Sequence, residues 1–132
     1  MTPRLLDSST CASSPRRSRL PSWLSARESL LLRAFADRLR EREGANLVDL
    51  RLFGSRARGE GHERSDLDVL VVVRELDRAR KVAIWDLAFD VGLGAGVRAG
   101  LAPFVRSERH WGELVRLERR IAREIVRDGV SL

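Results

Sequence analysis

The feature that most constrains the fold is a run of five apolar residues, Val69 to Val73, four of which are valines. A run of this kind has no polar face, and it is typical of a strand that is buried on both sides and therefore central in its sheet. It is much shorter than the ~18 residues that a membrane-spanning helix needs. The run predicts a domain built around a buried sheet, with no membrane span.

The segments around this run predict the other elements. Ser25 and Glu28 have the spacing of a capping box, which starts a helix, and Gly44 supplies a left-handed end to it. Pro103 indicates that the last predicted strand is at an edge of the sheet or ends early. In order, we predict helix 26–43, strand 47–53 with Val48, Leu50 and Leu52 on its buried face, a helical turn and loop over 55–64, strand 69–73, helix 78–91, strand 97–105 and helix 108–127. This order predicts an α+β (mixed α/β) fold with helices packed on three or four strands.

Composition divides the chain into a tail and one domain. Of the 132 residues 43% are apolar and 33% charged, which is typical of a globular protein. Residues 1–24 differ, because they hold three of the four prolines and six serines. Such a segment buries too little apolar surface to offset its ordering entropy. We therefore predict a disordered Ser/Pro/Arg-rich tail over 1–24 and a folded domain over 25–132.

Cysteine content and charge exclude several classes of protein. Cys11 is the single cysteine, which excludes an internal disulfide, and two histidines are too few for a zinc enzyme built on histidine ligands. The net charge is +6, but acids and bases intermingle after residue 24 and no aromatic platform accompanies them. Nucleic-acid binding is therefore only a weak third alternative. The composition predicts a soluble, cytoplasmic protein.

Two carboxylates stand at the entrance of the buried strand. Asp66 and Asp68 are two residues apart, so their side chains are expected side by side on one face. Carboxylates this close repel each other, which raises their pKa values unless a cation lies between them. Mg²⁺ is commonly bound by one or two carboxylates together with substrate phosphates. Because a solvated strand end also carries such pairs, the pair predicts a metal site only together with the segment before it.

The segment before the carboxylates has the composition of a phosphate-binding turn. The strand over 47–53 ends at Gly54 and Ser55, where glycine lets the backbone approach a phosphate closely. Backbone N–H groups and the serine hydroxyl can bind phosphate oxygens there, and Arg56 and Arg58 add guanidinium groups. The alternative is an ordinary turn between strands. Together with the carboxylate pair, this turn predicts a pocket for a metal–triphosphate complex.

These residues resemble the signature of the minimal nucleotidyltransferases of the DNA polymerase beta superfamily. That signature is G-S-x-A-R-G, a short gap, then S-D-x-D and a hydrophobic strand, and the chain reads GSRARG over 54–59 and SDLD over 65–68. The resemblance spans about 25–132 and implies a small nucleotidyltransferase fold with a mixed sheet. It implies that Gly54 and Ser55 bind the triphosphate, that Asp66 and Asp68 are catalytic and hold Mg²⁺, that Arg56 and Arg58 are weaker phosphate contacts, and that Ser65 orients the first carboxylate.

The resemblance also implies a reaction and a partner. The reaction is Mg²⁺-dependent transfer of a nucleoside monophosphate, AMP from ATP, to a hydroxyl acceptor. Minimal members often pair with a small helical protein of the HEPN type as an antitoxin that adenylylates it, so a homo- or hetero-oligomer is expected. Active members usually carry a third acid on the next strand, whereas residues 100–105 hold none here. The alternative is therefore a catalytically weak or inactive nucleotide-binding antitoxin.

Overall fold

The structure is a computed structural model that describes residues 20–62, 65–95 and 100–132. Its helices are α1 Ala26–Glu43, α2 Ser55–Arg58, α3 Arg78–Ala95, α4 Glu108–Arg116 and α5 Arg120–Asp128, with a 3₁₀ turn at Gly44–Asn46. Its strands are β1 Leu47–Phe53, β2 Leu67–Val73, β3 Leu101–Ser107 and β4 Val130–Ser131. Helices pack on one four-stranded mixed sheet, which confirms the predicted α+β class.

The order of strands in the sheet is β3-β2-β1-β4. β1 is antiparallel to both β2 and β4, whereas β2 and β3 are parallel. The apolar run of β2 is therefore inside the sheet, and β3, which contains Pro103, is at an edge; both placements were predicted. The sequence does not predict β4, because two residues are too few to show an alternating pattern.

Helices cover the two faces of the sheet unequally. On one face, α1 and α3 form the main core with Leu67, Val69 and the other odd-numbered residues of β2. On the opposite face, α4 and α5 cover a smaller cluster that includes Leu70 and Val72. Because side chains alternate along a strand, Asp68 lies on the face of this smaller cluster. Asp68 therefore points away from the main core.

The start of α1 is the predicted capping box. The Ser25 hydroxyl accepts a hydrogen bond from the Glu28 N–H at 3.1 Å, and the Glu28 carboxylate accepts one from the Ser25 N–H at 2.8 Å. Packing begins before this cap, because Leu20 and Leu24 are buried in the main core. The rest of the predicted tail, residues 1–19, lies outside the described residues.

Local backbone geometry moves three of the predicted boundaries. α3 runs on to Ala95, past the predicted end at residue 91, because its glycines at 92 and 94 are helical. The helix predicted over 108–127 is two helices, separated where Glu118 takes a φ of +51°. Leu117, predicted on its apolar face, is consequently 54% exposed. The strand predicted over 97–105 is observed at Leu101–Ser107, and residues 97–99 lie outside the described ranges.

A β-bulge changes the burial pattern of β1. The register shifts between Leu47 and Asp49, so that β1 has one extra residue there relative to β2. Val48 is that residue and is exposed, although the alternation predicts it on the buried face with Leu50 and Leu52. A bulge turns one side chain out of the regular alternation, which explains the error.

Across the described ranges, none of the helices has both the length and the hydrophobicity that crossing a bilayer requires.

Candidate active site

β1 ends at a glycine that lies directly against the carboxylate of Asp68. Phe53 is in register with Asp68, so Gly54 leaves the sheet beside that residue. Gly54 has φ +78° and ψ −162°, a conformation that is essentially restricted to glycine. A Cβ atom at Gly54 would lie 2.5 Å from Oδ2 of Asp68. Both the backbone conformation and the available space therefore require glycine at this corner.

The corner continues into the single helical turn α2. The carbonyl oxygen of Gly54 accepts hydrogen bonds from the N–H groups of Ala57 at 3.1 Å and Arg58 at 3.3 Å. The turn ends at Gly59, which is left-handed with φ +78° and ψ +17°. The Ser55 hydroxyl lies at the following loop, 2.8 Å from the position that a Cβ of Gly61 would take. The turn that the sequence predicts at Gly54 and Ser55 is therefore present in the structure.

The two carboxylates of the predicted pair act on each other. β2 begins at Leu67, two residues before the apolar run, so Asp68 lies within the strand and Asp66 immediately before it. Burial of Asp68, and next the negative charge of Asp66, raise the pKa of the Asp68 carboxyl above its usual range. On the other side of Asp66 is Gly100, where a Cβ would lie 3.9 Å from Oδ1. Two carboxylates and the Gly54 turn therefore meet at one end of the sheet.

This donor set fits a magnesium ion that takes its remaining ligands from a substrate. Repulsion between Asp66 and Asp68 is relieved by a cation placed between them. The described residues contain no group of three or more Asp, Glu, His or Cys side chains that could hold a metal ion. Mg²⁺ is often held by one or two carboxylates plus substrate phosphates, which matches a pair of this kind.

The neighbouring strand places alanine where a third acid would complete the pair. Asp68 is in register with Ala102 of β3. The next pair in register on this face, Leu70 and Phe104, contributes both of its side chains to the smaller cluster, so Ala102 faces the same way as Asp68. Glu108 is at the other end of β3, with its carboxylate 3.8 Å from Nη1 of Arg74. β3 therefore supplies no acid to the carboxylate pair, as its sequence indicates.

Arg56 is buried and hydrogen-bonded within the protein. Only 4% of the residue is exposed. Its Nη2 donates to Oε1 and Oε2 of Glu28 at 2.8 and 2.7 Å. Its Nη1 donates to the carbonyl oxygens of His62 at 2.9 Å and Ser65 at 3.3 Å. These contacts join the first turn of α1 to the loop before Asp66, which differs from the phosphate contact that the resemblance implies.

Arg58 and Ser65 take other positions around the turn. The Arg58 side chain is partly exposed and donates to Oε1 of Glu60 at 3.0 Å. The hydroxyl of Ser65 accepts a hydrogen bond from the His62 N–H at 3.1 Å, which closes the loop that leads to Asp66. Arg58 also lies 3.8 Å from the Asp128 carboxylate, so it is paired with two acids at the surface, whereas Ser65 acts on the loop backbone.

The sequence does not indicate that Glu28 and Trp23 contact this site. Glu28 is recognisable only as part of the capping box, although its carboxylate also binds Arg56. Trp23 donates from Nε1 to the carbonyl oxygen of Arg56 at 2.7 Å, and its ring lies 3.3 Å from where a Cβ of Gly59 would be. Both contacts join segments about thirty residues apart, a separation at which local patterns carry no information.

Comparison with known proteins identifies the class to which this fold and site belong. The profile of the nucleotidyltransferase domain matches residues 32–128. The chain belongs to the nucleotidyltransferase domain family, as its signature predicts. No curated protein matches the chain.

The chain is similar to several solved structures. A candidate minimal nucleotidyltransferase is 30% identical, with a TM-score of 0.51, and the match covers 85% of this chain and 100% of that chain. A mutant of the MntA–HpeT toxin–antitoxin is 22% identical, with a TM-score of 0.48, over 76% of this chain and 70% of that chain. A toxin–antitoxin with AMP-PNP is also 22% identical, with a TM-score of 0.48, over 74% and 69% of the two chains.

Proposed function

We propose that the chain transfers a nucleoside monophosphate, AMP from ATP, to a hydroxyl acceptor in a Mg²⁺-dependent reaction. One observation carries this proposal: the Asp68 carboxylate lies against the Gly54 turn, and its pKa is raised by burial and then by the negative charge of nearby Asp66. A turn that binds phosphates and a pair of carboxylates that needs a cation are the two halves of a site for a metal–triphosphate complex.

Each residue of the site has a proposed role. Gly54 and Ser55 bind the terminal phosphates at the start of α2, and Arg58 adds positive charge at the surface of the turn. Asp66 and Asp68 hold the ion, which when bound supplies neutralisation of the charge that develops on the phosphates. Arg56 holds the turn and the loop in register with each other through its contacts with Glu28 and Ser65.

The proposed reaction exchanges a phosphoanhydride bond of ATP for a phosphoester bond to the acceptor. An oxygen of the acceptor hydroxyl forms a bond to the α-phosphorus of ATP, and the bond from that phosphorus to the bridging oxygen of pyrophosphate breaks. The hydroxyl proton is released to water. The role of this chain is to hold the reacting groups in line, which converts a bimolecular encounter into a positioned one.

Binding of ATP should depend on the metal. Calorimetric titration of the wild-type protein with ATP is expected to show binding in MgCl₂, and EDTA is expected to weaken it at least about tenfold, because phosphates repel an unneutralised carboxylate pair. AMP, which lacks the phosphates that the turn would bind, is the control ligand and should bind much more weakly. Equal ATP affinity with and without Mg²⁺ would contradict the proposal.

The second candidate function is a nucleotide-binding antitoxin with little or no transferase activity. The register of Asp68 with Ala102 favours it, because the strand next to the pair brings no third carboxylate. Under this candidate the protein acts on its partner by binding it, and the acceptor receives no nucleotide.

Ala102→Asp decides how much the absence of that acid matters. The substitution places a carboxylate beside Asp68 and is expected to raise the rate of transfer from α-labelled ATP at least about tenfold, the usual contribution of a positioned acid or base being ~10²–10⁴. Ala102→Asn is the matched control, with the same size and no charge. Equal rates for the wild type and both variants would show that transfer does not depend on a third acid beside Asp68.

A protein partner is part of the proposal. α3 carries four exposed apolar side chains between 45% and 74% exposed: Val82, Trp85, Phe89 and Leu93. Their spacing of three and four residues places them on one helix face, and an exposed apolar face of this size favours contact with a protein. We propose a small helical protein of the HEPN type as the partner, with one of its hydroxyl groups as the acceptor.

A further inference from the structure

We infer that Glu28, in the first turn of α1, is a positioning residue for Asp66: it holds the guanidinium of Arg56, which in turn holds the loop that carries Asp66. The inference rests on the proposed function, because it names what keeps the proposed metal site in place. It extends the site to Glu28, which lies outside the signature and outside residues 32–128, which the family profile matches.

The Glu28 carboxylate is built to hold a cation in a fixed place. Glu28 is 5% exposed, and its two oxygens lie 2.8 and 2.7 Å from Nη2 of Arg56. Oε1 also accepts from the Ser25 N–H at 2.8 Å, so the side chain is tied to the start of α1. Burial raises the pKa of this carboxyl, but the hydrogen bonds from Ser25 and Arg56 outweigh burial and lower it. Glu28 is therefore ionised and rigidly placed.

Arg56, which Glu28 holds in place, binds the loop before the carboxylate pair. Its Nη1 donates to the carbonyl oxygens of His62 and Ser65. The Ser65 carbonyl belongs to the peptide unit that it shares with the N–H of Asp66, so a shift of the guanidinium acts directly on the backbone of Asp66. At the other end of the residue, Trp23 Nε1 donates to the Arg56 carbonyl at 2.7 Å. The first turn of α1 and the segment before it thus fix Arg56 at both ends.

A second buried glutamate on the same helix, also paired with an arginine, provides the control that separates positioning of Asp66 from stability of the fold. Glu43, at the end of α1, is 6% exposed, and its Oε1 lies 2.7 Å from Nη1 of Arg80. Glu43 also lies 3.5 Å from Nε of Arg42 and accepts a hydrogen bond from Asn46, whose side chain contacts the backbone of Glu75 beyond the far end of β2. Glu43 is therefore, like Glu28, a buried carboxylate of α1 paired with an arginine, but it lies at the end of the sheet opposite Asp66.

The experiment compares three variants with the wild-type protein. Glu28→Gln leaves the buried Arg56 without its ionic partner, and Glu43→Gln does the same to the partly exposed Arg80. Both variants are expected to lower the melting temperature, Glu28→Gln by more. Only Glu28→Gln is expected to weaken Mg²⁺·ATP binding, at least about tenfold, as substitutions of residues that support metal ligands do. The double variant Glu28→Met/Arg56→Met removes the unpaired charge. It should recover melting temperature relative to Glu28→Gln while its affinity for Mg²⁺·ATP stays low, because the His62 and Ser65 carbonyls have lost their donor.

Each other outcome overturns the inference. Wild-type affinity in Glu28→Gln, or an equal loss of affinity in Glu43→Gln, would mean that Glu28 only stabilises the fold. Recovery of affinity together with melting temperature in the double variant would mean the same. Absence of Mg²⁺·ATP binding by the wild-type protein would overturn the proposed function and this inference with it, and that result is recognised without any variant.

Discussion

Asp68→Asn is expected to abolish nucleotidyl transfer and yet to raise the melting temperature of the metal-free protein. The loss should be at least about a thousandfold, because removing a ligand of a charge-neutralising ion takes away several kcal/mol of transition-state stabilisation. The gain in stability follows from the surroundings of the carboxyl, since burial and then the charge of Asp66 raise its pKa. An ionised group in such surroundings destabilises the fold, and asparagine removes the charge with little change of shape.

The pH dependence of the melting temperature tests whether the Asp68 charge destabilises the fold. A carboxyl whose pKa is raised by folding destabilises the folded state above that pKa, and this penalty disappears as the pH falls through it. The difference in melting temperature between Asp68→Asn and wild type in EDTA should therefore be largest near neutral pH and shrink in acid. Asp90→Asn, an exposed site on α3, is the control and should change neither property. A lower melting temperature for Asp68→Asn in EDTA would contradict the account.

Gly54→Ala is expected to remove Mg²⁺·ATP binding. A methyl group there would lie 2.5 Å from Oδ2 of Asp68, so either the carboxylate or the turn must move. The substitution also imposes a φ of +78° on a residue with a side chain, which costs about 1–3 kcal/mol. We expect the affinity for Mg²⁺·ATP to fall at least about a hundredfold, because misplacing a positioned group by ~1 Å has effects of that size.

Gly44→Ala provides the matched control for this variant. Gly44 also has a positive φ, +54°, but nothing lies within 4 Å of the position of its added Cβ. It should therefore lower the free energy of unfolding through backbone strain alone and leave nucleotide affinity unchanged. If both alanine variants lose stability and bind Mg²⁺·ATP as the wild type does, Gly54 has only a conformational role.

Local features of the fold could be predicted from the sequence because their causes are local. The capping box of Ser25 and Glu28 and the valine run of β2 act through residues a few positions apart, and both are confirmed. Where the prediction was wrong, a single backbone conformation decided the outcome. The bulge at Val48 and the positive φ of Glu118 leave the residue pattern unchanged while they alter which side chains are buried.

The candidate site also has features that the sequence predicts and features that it does not. The carboxylate pair and the glycine–serine turn are short segments, and the pairing of β1 with β2 brings them together. The orientation of the Arg56 side chain could not be predicted, because it depends on a hydrogen bond to Glu28, which is 28 positions away in the sequence. Of two neighbouring arginines with the same local pattern, one is buried against α1 and the other is partly exposed, and only the packed structure distinguishes them.

Pro103 has a consequence for how this chain can assemble. The Leu67 N–H donates to the Gly100 carbonyl, so in a parallel ladder the even-numbered residues of β3 face β2 and the nitrogen of Pro103 faces outward. A further strand laid against this margin would meet a pyrrolidine ring in place of a donor. The opposite margin is β4, which offers only two residues. Neither margin favours intermolecular strand addition, so self-association or complex formation is directed to the helical surfaces, and growth into fibres by edge pairing is disfavoured.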